Sequence, residues 1–164
     1  ALIDAGHSRI AHIAGWEGSL TGRDRQQGFE DAMARAGLTP FAIIDGMYNR
    51  ETAASIARQL MTEGTKPDAI FVGNDHMAFA VMDEIRQMGF KIPDDVSVIG
   101  YDDVPLASWP AYDLTTVRQP VNRMVEATLD TLLSSINGEE VYPQTIEIEG
   151  PLIQRGSSKP IKGS

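Results

Sequence analysis

The sequence contains no cysteine, which excludes disulfides and thiolate metal sites and fits a reducing, cytoplasmic setting. It also lacks any apolar run near the roughly 20 residues that a membrane-spanning helix needs, so no membrane partner is expected. The opening residues, Ala1 to His7, have none of the basic, apolar and small-residue regions of a secretory signal. Basic charge is scarce: 14 Lys and Arg stand against 23 Asp and Glu, giving a net charge of −9. Such a surface repels a phosphate backbone, and no local basic cluster offsets it, so this chain is not expected to grip DNA by itself. The abrupt start without an initiator Met reads as that of a fragment.

What is present is the composition of a globular domain. The 164 residues are 42% hydrophobic and 23% charged, which is enough apolar surface for a core and too little charge for a disordered chain. Short apolar runs alternate with longer amphipathic segments. Ile10–Ala14, Phe41–Ile44, Ala69–Val72 and Val96–Ile99 read as strands. Helices are expected from about Thr21 to Gly37, from Arg50 to about Glu63, and from Asp75 to Met88. Continuously apolar strands joined by helices imply an α/β fold with a doubly wound, parallel sheet buried on both faces. Beyond Tyr101 the regularity breaks into a loop with Pro105, Trp109 and Pro110. The strand Leu114–Val117 follows, then a helix opening at Pro120 that turns Val121, Met124, Val125, Leu129, Leu132, Leu133 and Ile136 inward. Thr145–Ile148 alternates as a half-exposed strand, Leu152-Ile153 is another candidate, and the polar tail from Gly156 reads as loose.

Open α/β sheets bind ligands beyond the carboxyl ends of their strands. Those ends carry Trp16, Ser19, Thr21 and Arg25 after the first strand, and Asp45, Met47 and Tyr48 after the second. Asn74, Asp75 and His76 follow the third; Tyr101, Asp102 and Asp103 follow the fourth. A guanidinium donates to two hydroxyls and a carboxylate accepts from two, so Arg25, Asn74 and Asp102 suit a neutral polyhydroxylated molecule, although Arg25 also suits a carboxylate. Ordinary structural roles compete at each position. Asp75 is read as the cap of the following helix, with Asn74 as the ligand contact. Arg25 falls in a first helical turn, where a cation opposes the helix dipole, and that misfit favours a binding role. Asp103 reads as a turn former. Catalysis has little support: the three histidines lack metal-ligand spacing, no nucleophile elbow occurs, and no phosphate-cradling loop follows the first strand. No metal or cofactor is expected, and the chain is not read as an enzyme.

At this point the motifs resemble a known family. Gly6 to Gly15 resembles the GH-x-x-I-A-x-I-x-G segment of LacI/GalR repressors, and Thr21 to Phe29 their S/T-x-x-x-R-x-x-G-F/Y segment. Ala69 to Ala78 is similar to their A-x-x-x-x-N-D-x-x-A motif. Ile92 to Asp103 is similar to I-P-x-D-V-S-V-I-G-Y-D-D, Leu114 to Pro120 to L-T-T-V-x-Q-P, and Gln154 to Ser158 to the R-x-S/T ending. The matches run in order along nearly the whole chain.

The resemblance implies the periplasmic-binding-protein-like type I fold, with residues 1–114 as a C-terminal subdomain. Residues 115–142 would be a hinge crossing and a helix of a largely missing second subdomain, and 143–164 return strands and a tail. It implies effector contacts at Thr21, Arg25, Asn74 and Asp102, with Met47 or Tyr48 stacking on the effector. Trp16 and Ser19 would line the pocket, and Gln119 would sit at the hinge. The implied partners are a small-molecule effector, most simply a carbohydrate, a second copy of the chain, and operator DNA met only through an absent helix-turn-helix. Phe79 and Met82, off the stripe formed by Met77, Val81, Ile85 and Met88, would join Trp109 in the dimer interface unless a neighbouring loop covers them. A periplasmic sugar-binding protein of an ABC transporter is the nearest alternative. A flavodoxin-like enzyme is a more distant one, and it would need a phosphate or flavin loop after the first strand.

Overall fold

The computed structural model describes residues 1–62, 64–138, 142 and 145–161. Six strands, β1 (Ile10–Ala14), β2 (Ala42–Asp45), β3 (Ala69–Val72), β4 (Ser97–Asp102), β5 (Thr115–Arg118) and β6 (Leu152–Ile153), form one sheet in the order β2-β1-β3-β4-β5-β6. Every neighbouring pair is parallel except β5 and β6, which run antiparallel. The expected doubly wound α/β sheet is present, with an antiparallel edge strand added. Among the described residues four α-helices accompany it, α1 (Leu20–Arg35), α2 (Arg50–Thr62), α3 (Asp75–Gln87) and α4 (Val121–Ile136), with a short 3-10 helix at Pro105–Ser108. Glu63, where α2 was expected to end, lies outside the described residues.

The strands are apolar on both sides because both faces of the sheet are covered, though unequally. Ala11, Ile13, Ile70, Val72 and Val98 meet α2 and α3 in the main core, together with Leu60, Phe79, Met82 and Ile85. On the opposite face α1 supplies Met33 and Phe29 against Ile10 and Ala69, a much smaller cluster. Gly37 and Gly89 end α1 and α3 with φ of 68° and 87°, a left-handed conformation in which a β-carbon is strained. Past these glycines, Leu38 N–H closes on Met33 O (2.9 Å) and Phe90 N–H on Ile85 O (3.2 Å).

Several expectations need correction. Thr145–Ile148 forms no strand despite its alternation, since neither side offers it a backbone ladder. The described part of the tail is held in place. Ser157 and Ser158 are buried, and the Ser157 hydroxyl donates to Val98 O (2.7 Å) and accepts from Thr115 N–H (2.8 Å), bridging β4 and β5. The apolar side chains of α4 do not turn inward; the helix has no buried residue. Phe79 and Met82 are fully buried within the chain. The Tyr112 ring, 4.4 Å between centroids from Phe79, belongs to the loop that covers them, so a second copy cannot reach either residue. Of the three expected interface residues only Trp109, 58% exposed, faces solvent.

Candidate functional site

The carboxyl ends of β1, β3 and β4 converge because parallel strands present all their ends on one edge. β1 stops at Gly15, and Ser19 caps α1, its hydroxyl accepting from Gly22 N–H (3.0 Å) and donating to Trp16 O (2.9 Å). That cap turns the helix so that Arg25 reaches across the sheet. Arg25 is the sixth residue of α1, in the second turn and not the first, so opposition to the helix dipole is weaker than expected. Other contacts hold it. Nη1 donates to Gly73 O at the end of β3 (2.7 Å), Nη2 lies 3.5 Å from Asp102 Oδ1, and the guanidinium carbon sits 3.9 Å above the Tyr101 ring. Such a cation over an aromatic face is attracted by the ring quadrupole.

Asp102 ends β4 in a strained backbone conformation, φ 125°. Its Oδ1 also accepts from Gln119 Nε2 at 2.6 Å. Arg25, Asp102 and Gln119 are thus one hydrogen-bonded group, drawn from α1, β4 and the segment after β5. Arg25 and Gln119 of this group border a crevice of about 660 Å³, walled by Thr21, Asp24, Arg25, Tyr101 and Gln119 on the sheet side, with Asp102 joined to it through them. Met124, Ala127, Thr128, Thr131 and Leu132 of α4, with Ile146 and Ile148, form the facing wall. That volume admits a small molecule, and the mixture of polar donors with apolar walls is typical of such sites.

The remaining candidates fall elsewhere. Asn74, not Asp75, caps α3, its Oδ1 accepting from Met77 N–H at 2.9 Å. Asp75 instead is wholly buried, accepting from the Thr116 hydroxyl (2.6 Å) and Val104 N–H (3.0 Å). Burial raises the Asp75 carboxyl above the usual range, against these hydrogen bonds. Tyr48 packs on Gly15, where any side chain would overlap its ring, and Met47 is exposed beside it. Both residues have positive φ, 50° and 57°. Asp45 organises this corner, accepting from Met47 N–H (2.7 Å) and Glu17 N–H (3.2 Å). Trp16 is half exposed and lies over Gly18. None of Trp16, Ser19, Met47, Tyr48, Asn74 or Asp102 lines this crevice, Asp102 reaching it only through Arg25 and Gln119. Among the described residues, no three His, Asp or Glu side chains are gathered to hold a metal ion, and no helix is long and apolar enough to cross a membrane.

Sequence reasoning missed Tyr101 as a partner of Arg25 and Asp24 as a wall residue. It also left Asp103 as a turn former. Asp103 receives Arg118 Nε at 2.6 Å and Arg155 Nη2 at 2.7 Å. Burial works to raise its carboxyl, and the hydrogen bonds of the two guanidiniums outweigh it, leaving it below the ordinary value. No spacing signal connects residues 103, 118 and 155; only the closure of the sheet does.

Comparison with known proteins decides the family. Residues 1–158 match the model of a periplasmic binding protein-like domain. The ribose operon repressor of Escherichia coli K12 is 37% identical over 159 residues, covering 96% of this chain and 48% of its own length. The transcriptional repressor PurR of Photobacterium profundum is 37% identical over 160 residues, with the same coverage. The chain belongs to the LacI family of transcriptional regulators. It matches their effector-binding, periplasmic-binding-protein-like domain and spans about half the length of these relatives. The LacI-family relatives are repressors, not enzymes. The lac repressor dimer bound to operator and an anti-inducer superposes with a TM-score of 0.89 at 30% identity, over 97% of this chain and 55% of that one. The complex of the regulator CelR with cellobiose does so with a TM-score of 0.88 at 32% identity, over 96% and 49%.

Proposed function

We propose that this domain binds a neutral polyhydroxylated effector, a sugar, in the crevice beside Arg25, Asp102 and Gln119, and that occupancy is coupled to operator affinity in the whole regulator. The observation that carries the reading is the hydrogen-bonded group at the crevice edge. Asp102 already accompanies Arg25, so the site offers directional donors and acceptors instead of a bare cation. Hydroxyls satisfy both kinds of group. Relatives named for a ribose operon and solved with cellobiose support the class. Thr21 and Asp24 on the crevice wall add a hydroxyl and a carboxylate within the same volume. In this reading Asn74, Met47, Tyr48 and Trp16 belong to the rim that a bound ligand brings together. The regulator works in the cytoplasm as a homodimer, in which the loop at Trp109 is a candidate contact, and it meets DNA through a helix-turn-helix outside these residues.

Calorimetric titration with a panel of pentoses, hexoses and disaccharides tests the proposal. Asp102→Ala removes a charged acceptor and should weaken binding by about 1.5–3 kcal/mol, roughly ten- to a hundredfold in Kd. Unchanged affinity in both Asp102→Ala and Arg25→Ala would remove the site assignment. Operator binding that is indifferent to every sugar that binds would remove the coupling.

A further inference from the structure

The two walls of the crevice are joined where the chain leaves the sheet after β5 and returns to it before β6. Among the described residues between, α4 included, none is buried against the sheet. The orientation of the far wall depends on the joint. There the outgoing and returning strands touch closely: Arg118 N–H donates to Pro151 O at 2.9 Å, and a side chain at Gly150 would overlap the Arg118 carbonyl. Asp103, the residue that follows β4, meets both. One carboxylate oxygen takes Arg118, the last residue of β5, and the other takes Arg155, just beyond β6. The carboxylate is 5% exposed and the Arg155 side chain 14%, so water competes little for that contact, while Arg118 is half exposed. Arg155 is fixed in turn by donating to Leu114 O at 2.7 Å.

We infer that Asp103 is a positioning residue, a clasp across both connecting strands that sets the angle of the α4 wall against the wall carrying Arg25 and Tyr101. It touches no part of the crevice; it acts through the joint. The backbone fits this role, for Asp103 is held at φ 57°, a conformation unfavourable to a side-chain-bearing residue unless its surroundings impose it. Two guanidiniums on one carboxylate impose it.

Because the chain has no cysteine, a pair introduced at exposed positions, Asp130→Cys on α4 and Gln87→Cys on α3, can be spin-labelled without background. Double electron–electron resonance on the otherwise unaltered chain then reads the distance between the wall and the core. Asp103→Ala should broaden that distribution and shift its mean. Asp113→Ala, which removes a hydrogen bond to Gly156 N–H on the same tail while keeping Asp103, Arg118 and Arg155, should leave it unchanged. An unchanged distribution in a folded Asp103→Ala protein overturns the inference, as does equal broadening in Asp113→Ala. Should Asp103→Ala fail to fold, Arg118→Ala removes one arm of the clasp at a half-exposed position; broadening there supports the clasp, and its absence overturns it.

Discussion

Helices α3 and α4 are similar as text and opposite as structure. Seven of the thirteen residues of α3 and eight of the sixteen of α4 are apolar, and both begin at the carboxyl end of the sheet. Yet α3 buries nine residues, including Asp75 and Glu84, whereas α4 buries none. The difference is one of neighbours. α3 lies between the sheet, α2 and the Tyr112 loop, and is enclosed on almost every side. α4 leaves the sheet and, among the described residues, faces the crevice without being buried. Amphipathic spacing therefore tells that a helix has an apolar face, and is silent on whether the chain supplies something to cover it.

The largest expected effect is on the enclosed helix. Phe79→Ala should destabilise the chain by about 3–5 kcal/mol, the range for emptying an aromatic from a packed core. Urea unfolding followed by circular dichroism measures it. A loss below about 1 kcal/mol would mean that the site collapses readily, and the contrast between the helices would be weaker than their burial suggests.

Next is the other face of the sheet, where burial has a titratable consequence. His12 in β1 is 1% exposed, stacked on Phe71 and beside Phe29, with centroids 4.6 Å and 5.0 Å away. Nδ1 donates to Phe71 O at 3.0 Å, while Nε2 has no partner. Burial, only partly opposed by that hydrogen bond and by Glu30, lowers its pKa from 6.5 to about 4. A depressed histidine favours the fold above its unfolded pKa, and that contribution is lost as pH falls from about 6.5 towards 4, amounting to about 3 kcal/mol. Unfolding free energies of wild type and His12→Gln from pH 7 to pH 4 test this. The variant should lose distinctly less over that window, and parallel curves would assign the acid sensitivity to other groups.

A smaller effect is expected where α3 is tied to the sheet. Asp75→Ala removes the acceptor of Thr116 and Val104 N–H, and should cost about 1.5–3 kcal/mol in the same unfolding experiment. Because Asp75 is held above its ordinary pKa by burial, part of that cost is offset by relief of desolvation. Asp75→Asn should therefore fall between alanine and wild type. If it equals alanine, the charge matters and not the hydrogen-bond geometry.

What could be read from the sequence follows the same division. The first four strands and three helices were legible because each satisfies its own pattern locally: apolar runs of strand length, helical spacing, and glycines at Gly37 and Gly89. Arg25 and Asp102 were legible as candidates because they follow strand ends, where the fold class sends ligands, and Gln119 only through the family resemblance. Features that depend on distant partners were not. Asn74 and Asp75 are equally good caps by residue type, and the buried hydroxyl of Thr116, forty-one residues on, is what draws Asp75 away. Phe79 and Met82 looked unpartnered because their cover comes from an irregular loop. Ser157 and Ser158 looked like a loose polar tail, and their hydroxyls turn out to stitch β4 to β5. Thr145–Ile148 alternates as a strand should, but a strand also needs an edge to pair with.

The smallest expected effect closes the comparison on α4. Leu132 is 53% exposed, at the mouth of the crevice, and the stripe it shares with Val125, Leu129 and Ile136 meets no element of the described chain closely enough to be buried. A solvent-facing leucine contributes little apolar burial to the fold, so Leu132→Ser should change unfolding free energy by less than about 0.5 kcal/mol. The value is informative because α3 and α4 are judged on the same chain under the same conditions. A loss of 2 kcal/mol or more, well above about 0.5 for a surface site, would show that α4 is covered in solution. Repeating the measurement across protein concentrations separates the two ways that could happen. A cost that grows with concentration identifies a second copy seated on the stripe, since association stabilises the folded state by mass action. A cost independent of concentration places the cover within the chain itself, in a packing of α4 tighter than the open crevice allows.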